Sequence, residues 1–357
     1  MSSPDLDLRP ATAETYPAFM RAMIEVFGDD PSGPYLDEPP PVAELDRTLG
    51  LWEGDRVVAT SGIYSRQLSV PGAVVPCAGV TWVTVAPTHR RRGVLTAIMR
   101  RQLDELHEQE REPVAGLWAA EYPIYGRYGY APATFRGGLS GLTERLGLRP
   151  DVDLGAGRVE AVGVEEYHAA AVGLYDRLRR PVPGNLERDE RWWDRALSDL
   201  PHHREGSSAL RFVRHVEPDG TVTGYASYRV KSGWTETSEP DGTLTVAEVR
   251  AAGTPAYAAL WRYLLSVDLV RHLRYPLGSP DDPLRQLLTD ARALHAQPVD
   301  GLWLRLVDVD RALRARRYPA PVNLVFGVRD PFCPWNDGRW HLTGHPAGSF
   351  LLRPGGP

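Results

Sequence analysis

Cysteine is scarce in this chain of 357 residues. The two cysteines, Cys77 and Cys333, lie far apart and form no CxxC pair. Their number and spacing exclude a disulfide framework and a cysteine-based zinc site, and they favour a reducing, cytoplasmic environment. An excess of one charge is also missing, because the formal net charge is only -5. General binding to nucleic acid or to an anionic membrane is therefore not favoured.

Long apolar runs and several common catalytic motifs are missing as well. No apolar run approaches the about 18–20 residues that a membrane-spanning helix needs, and the polar N-terminus is no signal peptide. The absence of GxSxG, P-loop and GxGxxG motifs disfavours a hydrolase or a dinucleotide enzyme. His341 and His345 have HxxxH spacing, but Gly344 and Pro346 would break a helix there. We therefore expect a surface turn at these histidines and no metal site.

The remaining composition is that of a turn-rich globular protein with more than one domain. The length favours two or three domains, and 34 glycines with 32 prolines suit β structure with many turns. Apolar residues at helical spacing predict a helix over 15–27. Alternating runs bounded by turn residues predict an antiparallel meander after it. The predicted strands are 49–52, 57–64, 66–70, 74–85, 114–119 and 134–139.

The most informative stretch is VTVAPTHRRRGVLT, residues 83–96. A β-type run meets Pro87, a basic turn follows, and an amphipathic helix begins after Gly93. We call residues 90–93 the arginine turn. Backbone N–H groups and positive charge at the start of a helix form an anion site, for which a pyrophosphate is a natural ligand. A solvated basic face is the alternative that the residues by themselves leave open.

Further along the chain, IYGRYGY (124–130) is a short aromatic segment broken by glycines, which we call the tyrosine segment. A strand, a basic turn that opens a helix, a further strand and this segment together resemble the core of the GNAT acetyltransferases. VTVAPTHRRRGVL followed by IYGRYGYAPATF resembles more closely the Eis-type N-acetyltransferases of actinobacteria. PGNLERDERWWDRAL (183–197) and VDGLWLRLVDVDRAL (299–313) resemble the later domains of that family.

The resemblance implies an acetyl-CoA-dependent enzyme and a binding place for this acetyl donor. The pyrophosphate would contact the arginine turn and the start of the helix. The pantetheine arm would pair with the splayed strand before the turn, where a backbone N–H could stabilise an oxyanion. The residues implied for acetyl-CoA are Val83, Thr84, Val85, Arg90, Arg91, Arg92, Gly93, Val94, Leu95, Thr96, Ala120 and Glu121.

The resemblance also assigns a catalytic residue in the tyrosine segment. Tyr125, the first tyrosine of the segment, would give a proton to the departing thiolate as a general acid. Tyr122 is a weaker candidate for the same role. Tyr128 and Tyr130 are predicted to be packing aromatics.

The implied acceptor is a primary amine, either an aminoglycoside-like polyamine or a lysine side chain. Phe27, Asp29 and Trp118 are predicted to line its site. An ammonium with a pKa of about 10 must lose a proton before it attacks. In Eis-type enzymes the carboxylate of the chain's own C-terminus takes that proton. This chain stops at Pro357, earlier than the family's chains, so we expect a truncated form, with Glu121 or Asp29 acting through water as the alternative.

A chain without this base could instead be a catalytically impaired acetyl-CoA-binding or assembly protein, and this is the second function considered. The resemblance further implies a homohexamer. The expected partners are therefore a small amine or a lysine side chain and other copies of the chain, without nucleic acid or membrane.

Residues after 142 repeat the order of elements in the first third. The predicted helices are 165–178, 187–197 and 257–270, and the predicted strands are 210–216, 222–230 and 244–251. The turn before the third helix reads AAGTP, which has no positive charge, and Pro255 lacks an amide donor. We infer a second GNAT-like fold without capacity for the cofactor. Unrelated α+β packing is the alternative.

The predicted fold class of the whole chain is α+β. It comprises tandem GNAT folds, the second one degenerate, followed by a truncated domain that resembles sterol carrier proteins. The predicted domains are 1–145 (catalytic GNAT), 146–290 (degenerate GNAT-like) and 291–357 (partial sterol-carrier-like).

Overall fold

The structure, a computed structural model, describes residues 7–31, 36, 40 and 42–353. The predictions about the chain end at Pro357 therefore lie outside the described residues. The strands are β1 (Leu8–Arg9), β2 (Thr48–Glu53), β3 (Arg56–Val70), β4 (Ala73–Val85), β5 (Val114–Trp118), β6 (Ala131–Pro132), β7 (Phe135–Leu142), β8 (Arg158–Val162), β9 (Arg211–Val216), β10 (Val222–Lys231), β11 (Gly242–Ala251), β12 (Val270–Gly278), β13 (His295–Asp300), β14 (Leu302–Leu306), β15 (Val322–Val328), β16 (Gly338–His345) and β17 (Gly348–Leu352).

The helices alternate with these strands along the chain. They are α1 (Tyr16–Phe27), α2 (Val94–Glu108), α3 (Tyr122–Tyr125), α4 (Val164–Arg179), α5 (Glu190–Leu197), α6 (Thr254–Leu265), α7 (Leu284–Leu287) and α8 (Val309–Ala315). No helix in the described ranges is long and apolar enough to cross a membrane.

The chain divides into two compact units, and neither unit is one continuous stretch. The first unit comprises Met1–Ala133, Arg180–Glu187 and Leu302–Pro357, and the second comprises Thr134–Arg179 and Arg188–Gly301. The predicted domains assume that each domain is a single run of residues. The structure shows instead that β7 belongs to the sheet of the second unit and β14 to a sheet of the first. The predicted domain limits themselves stay predictions.

The main sheet of the first unit has seven strands in the order β1-β2-β3-β4-β5-β14-β6. The meander β1 to β4 is antiparallel, as predicted, and β5 runs parallel to β4 after the crossover through α2. The predicted break at Ser65 is absent, and β3 is one strand of 15 residues. The carboxylate of Glu44 accepts hydrogen bonds from both the N–H and the hydroxyl of Ser65, which keeps this polar residue in the strand.

Strand β14 reaches the first unit's sheet from the last part of the chain. It pairs antiparallel with β5 on one side, from Leu302 opposite Trp118 to Leu306 opposite Val114, and with β6 on the other. Trp303 is buried in the same core cluster as Ile98 of α2. Because both edges of β14 are paired, it is an interior strand of the first unit's sheet.

The second unit repeats this layout with its own sheet, in the order β13-β7-β12-β11-β10-β9-β8. Strands β11 and β12 are parallel, with α6 between them in sequence. The predicted helix over 257–270 runs too far, because α6 ends at Leu265 and Leu269 has a positive φ of 62°. Such a conformation cannot continue a right-handed helix, and β12 begins at Val270.

A small sheet in the order β15-β16-β17 closes the described chain. Its core joins Trp340, Leu342 and Leu351 to Val309 of α8. The surface turn predicted at His341 and His345 is wrong, because both residues lie in β16. Residues four apart in a strand are about 13 Å apart, too far to share a metal ion. Among the described residues, no group of three His, Cys, Asp or Glu side chains could hold a metal, and the expected absence of a metal stays a prediction.

The contribution of β14 to the first unit can be measured through Trp303. Trp303→Ala removes a buried ring and should lower the free energy of unfolding by about 3–5 kcal/mol, measured by urea denaturation with circular dichroism. The matched control is Trp234→Ala in the second unit, whose side chain is 58% exposed and which should change stability by less than about 1 kcal/mol. Equal effects of the two variants would contradict the interior position of β14.

Candidate active site

The central feature of the first unit is the separation of two parallel strands. Strands β4 and β5 pair only where residues 77–79 lie opposite 114–116. Beyond Gly79 and Gly116 the two strands part, while the other edge of β4 stays paired with β3 as far as Val85. A gap therefore opens beside residues 80–85, as the resemblance implied, and the backbone of β4 forms one wall of it.

A β-bulge in β4 lies beside this gap. Thr84 pairs with Thr60 and Thr81 with Gly62, so the strand register shifts by one residue, and Trp82 has a positive φ of 54°. The hydroxyl of Thr60 donates a hydrogen bond of 2.6 Å to the carbonyl of Trp82 and lies 2.6 Å from the hydroxyl of Thr84. These contacts hold the bulge, which changes the direction of the following backbone.

Sequence reasoning missed both Thr60 and Trp82. The run TWVTV reads as an unbroken strand, and nothing in its alternation marks an extra residue. The ring of Trp82 packs edge-on against Phe19 of α1 at 6.2 Å and against Tyr64 at 5.4 Å. The rings of Phe19, Tyr64 and Trp82 form an aromatic cluster at the bulge. This cluster exists because α1 packs against this part of β4, which the sequence pattern does not show.

The arginine turn follows β4 directly. A short 3-10 helix (Pro87–His89) precedes it, and the buried imidazole of His89 lies 2.9 Å from Oε1 of Glu53 and 2.8 Å from the hydroxyl of Thr88. Arg90 donates from Nε to the carbonyl of Val85 at 3.3 Å. The contacts of His89 therefore hold the residue just before the arginine turn. The hydrogen bond of Arg90 holds the first residue of the turn against the end of β4.

The backbone of the arginine turn is shaped by two left-handed residues. Arg91 has φ 63° and Gly93 has φ 81°, immediately before α2 begins at Val94. No side chain caps this helix start, and no atom would lie within 4 Å of a Cβ at Gly93. The first-turn N–H groups are those that a helix cannot bond internally, and they lie next to the exposed residues Arg91 and Arg92. Uncapped N–H groups and positive charge at a helix start are the features that can bind an anion.

The tyrosine segment folds as α3 followed by a 3-10 helix (Gly126–Tyr128). Tyr125 is buried, and its ring lies edge-on to Tyr130 at 6.0 Å. Burial raises the pKa of Tyr125 to about 12, with smaller contributions from Tyr128 and Glu121. The Tyr125 hydroxyl therefore stays protonated at neutral pH and is able to donate a proton.

The tyrosine segment and the arginine turn are connected through α2. The hydroxyl of Thr96, in the first turn of α2, lies 3.2 Å from the hydroxyl of Tyr128. The other predicted packing aromatic, Tyr130, is also buried, so both residues have the surroundings expected of them. Tyr122 is exposed instead, with its ring edge-on to Trp303 at 4.8 Å.

The remaining predicted residues lie at the ends of elements around the gap. Ala120 and Glu121 are exposed between β5 and α3. Phe27 is the last residue of α1, and Asp29 comes two residues later. Helix α1 packs against β3 and β4. Trp118 is the last residue of β5, the strand across the gap from β4, and it is exposed. Trp118, Ala120 and Glu121 therefore lie on the β5 side of the gap, and Phe27 and Asp29 lie at the end of a helix that packs on β3 and β4.

The second unit contains a similar bulge and separation with different chemistry. Ser227 pairs with Glu248 and Tyr228 with Val246, and β11 pairs with β12 only over residues 242–245. Arg188 donates two hydrogen bonds to Glu248, of 2.7 and 3.0 Å. Burial by itself would raise the pKa of Glu248, but the neighbouring guanidinium groups lower it. The corresponding helix α6 begins with a proline in its first turn and without an arginine turn.

Comparisons with known proteins agree with this description. Residues 7–133 match an acetyltransferase (GNAT) domain family, residues 184–310 match a second family of the same description, and residues 309–350 match a sterol carrier protein domain family. These matches confirm the predicted order of folds and the α+β class. They also place the first GNAT match on the part of the chain that carries the arginine turn and the tyrosine segment.

Individual relatives extend the similarity over most of the chain. A protein of Streptomyces avermitilis named as an uncharacterised N-acetyltransferase is 42% identical over 313 residues, which cover 87% of this chain and 76% of that protein. The N-acetyltransferase Eis of Mycobacterium tuberculosis is 39% identical over 280 residues, covering 75% of this chain and 65% of Eis. The crystal structure of Eis1 from Mycobacterium abscessus aligns with a TM-score of 0.78 at 30% identity, covering 98% of this chain and 85% of Eis1.

The left-handed conformation of the arginine turn gives a stability prediction. Gly93→Ala should lower the free energy of unfolding by about 1–2 kcal/mol, because a Cβ is disfavoured at positive φ even in open space. Gly126→Ala is the matched control, since Gly126 is equally open but has a right-handed φ of -57°. The control should not lose stability in urea denaturation. A neutral Gly93→Ala would mean that the turn has another backbone conformation.

Proposed function

The chain belongs to the Eis-type GNAT N-acetyltransferases, and from this premise we propose that it transfers an acetyl group from acetyl-CoA to a primary amine. The amine attacks directly, without a covalent enzyme intermediate, and Tyr125 acts as the general acid. The observation that carries the proposal is that Thr96–Tyr128 connects the arginine-turn helix to the segment that contains Tyr125. The first unit therefore contains the arginine turn, the gap between β4 and β5, and Tyr125.

Acetyl-CoA would supply an activated acetyl thioester, and the residues present fit its pyrophosphate. The N–H groups at residues 91–96 would donate hydrogen bonds to the phosphate oxygens, as the N–H groups at a helix start do. Arg91 and Arg92 are exposed and would add charge-assisted hydrogen bonds, while Arg90 is partly committed to the carbonyl of Val85. The open space above Gly93 supports this fit, because backbone can approach a phosphate closely there.

The strand gap would hold the extended part of the donor. Val83, Thr84 and Val85 have lost the neighbour that β5 provides further down the strand, so their backbone groups on that edge can pair with an amide-containing arm. Thr60 keeps these residues in their bulged conformation. A backbone N–H from this stretch would stabilise negative charge on the thioester oxygen during transfer.

The two proton transfers are assigned to Tyr125 and to Glu121, the residue just before α3. Tyr125 would protonate the leaving thiolate, since its raised pKa keeps the hydroxyl protonated under working conditions. Glu121, which stands just before α3, is exposed and near enough to contribute to the raised pKa of Tyr125. We assign Glu121 as the water-mediated base that takes the proton of the ammonium. Phe27, Asp29 and Trp118 are proposed to line the acceptor's approach.

The acceptors proposed are aminoglycoside-like polyamines or lysine side chains. The exposed carboxylates of Glu121 and Asp29 and the exposed ring of Trp118 are groups that attract such cations, which supports this choice of acceptor. The cytoplasmic location and the homohexamer implied by the resemblance stay predictions.

The role of Tyr125 is tested by thiol release from acetyl-CoA with an amine panel. Tyr125→Phe should lower kcat by about 10²-fold or more with the best amine, because it removes the general acid. Tyr122→Phe is the matched control, being the exposed tyrosine at the start of the same helix, and should keep kcat within about 2-fold. Both cysteines are buried, so a thiol reagent should meet little background from the protein.

The two variants separate the alternatives. If Tyr122→Phe strongly lowered kcat and Tyr125→Phe kept it, Tyr122 would be the general acid in place of Tyr125. Binding of acetyl-CoA without turnover by any amine in the panel would favour the impaired binding protein instead.

The role of the arginine turn is tested by acetyl-CoA binding. The double variant Arg91→Ala/Arg92→Ala should raise the Kd for acetyl-CoA by about 10- to 100-fold in calorimetry, since two charged donors to phosphate are lost. The charge-matched control is Arg149→Ala/Arg158→Ala, two exposed arginines of the second unit, which should leave Kd unchanged. An unchanged Kd in the first double variant would show that the turn is a solvated basic face.

A further inference from the structure

A buried ion pair lies in the first unit outside the residues discussed so far. Arg305 of β14 donates from Nη2 to Oδ2 of Asp330 at 2.5 Å, and both side chains are less than a tenth exposed. The other oxygen of Asp330 accepts the N–H of Cys333 at 2.9 Å, and Asn336 donates to Oδ2 at 3.0 Å. The carboxylate is therefore fixed from three sides, and it fixes the guanidinium in turn.

The guanidinium packs directly against the tyrosine segment. A Cβ at Gly129 would overlap with Nη1 of Arg305, so the segment passes over the guanidinium with no space between them. Gly129 has a φ of 83°, which permits this close turn. Glycine at this position is thus explained by Arg305, a residue far away in the sequence.

Neighbouring residues of the same region support the tyrosine segment at further points. The ring of Phe332 lies edge-on to Tyr128 at 5.1 Å, and the ring of Trp303 lies edge-on to Tyr122 at 4.8 Å. Arg100 of α2 stacks over Phe332 at 3.9 Å and donates to its carbonyl. The tyrosine segment therefore contacts Arg305 and Phe332, and Arg100 attaches α2 to Phe332 as well.

Electrostatics connect Arg305 to the ring that contacts Tyr125. Burial strongly raises the pKa of Tyr130, and Arg305 opposes this effect more than any other group. Tyr130 is the residue whose ring lies edge-on to Tyr125. Displacement of the guanidinium would therefore disturb Gly129 and Tyr130 first and Tyr125 next.

We propose that Arg305, held by Asp330, is a positioning residue that sets the place of Tyr125 for proton transfer. This inference rests on the proposed role of Tyr125. Arg305 itself touches neither donor nor acceptor. A buried ion pair contributes little net stability compared with apolar residues of the same volume, and its fixed directions make it suited to orienting a neighbouring turn.

The test is a double-mutant cycle on the full-length protein. Arg305→Lys keeps the charge but loses the planar group under Gly129, and should lower kcat by about 10- to 100-fold with the KM for acetyl-CoA within about 2-fold. In a Tyr125→Phe background the same substitution should lower kcat by less than about 3-fold, because the misplaced group is already absent. Asp330→Asn should behave in the same way, which provides a second variant if Arg305→Lys does not fold.

The matched control is Arg47→Lys in the same unit. Arg47 forms a buried two-point ion pair with Glu112, of 2.7 and 3.1 Å, and its hydrogen bonds are with Glu112 and Ser65, away from the tyrosine segment. It should lower the thermal midpoint comparably, leave kcat within about 3-fold and combine multiplicatively with Tyr125→Phe. This control separates loss of position from loss of stability.

The outcomes distinguish this inference from the proposed function. Multiplicative losses of Arg305→Lys and Tyr125→Phe, together with a strong Tyr125→Phe effect, would overturn the inference and leave the proposed function intact. A Tyr125→Phe variant with unchanged kcat would overturn both. Failure of both Arg305→Lys and Asp330→Asn to fold, shown by circular dichroism, would assign the pair to structure and also overturn the inference.

Discussion

The separation of β4 from β5 is the constraint on which the rest of the first unit depends. Two parallel strands that part after Gly79 and Gly116 leave backbone groups on an inner edge without the neighbour that a sheet normally provides. Such an edge is stable only if other groups fix it or a ligand pairs with it. Thr60 fixes the bulge on the far side of β4, and the arginine turn and tyrosine segment stand at the open end.

The opposite wall of the gap is β5, and the strand that pairs with the other edge of β5 comes from much later in the chain. Strand β14 pairs with the other edge of β5 and contacts the tyrosine segment through Arg305, and Phe332, which follows later in the chain, contacts Tyr128. The sterol-carrier-like region therefore contacts the tyrosine segment through Phe332, and its small sheet has a separate core with α8. The second unit shows the contrast, because its gap carries Glu248 with its arginine partners and its helix start lacks cationic residues.

Much of the fold was predictable because it follows from local periodicity. Helices α1 and α2, the meander and the arginine turn appear where apolar spacing, Gly and Pro place them. Three features of the fold could not be predicted from the sequence. The bulge at Trp82 leaves no trace in an alternating run. Helix α6 ends at Leu265, and four residues that end in the left-handed Leu269 lead to β12. The partners of β7 and β14 are set by pairing between distant segments. Strand pairing of this kind depends on three-dimensional proximity, which periodicity does not encode.

The sequence by itself determined the chemistry available to the first unit. It contains a cationic turn at a helix start and a tyrosine segment in the order typical of GNAT enzymes, and local rules of turns and helices suffice to read both. Only the tertiary structure decided how these parts meet. Thr96 contacts Tyr128, burial raises the pKa of Tyr125, and Arg305 packs under Gly129, because burial and contact between residues far apart in sequence arise only when the sheet has formed.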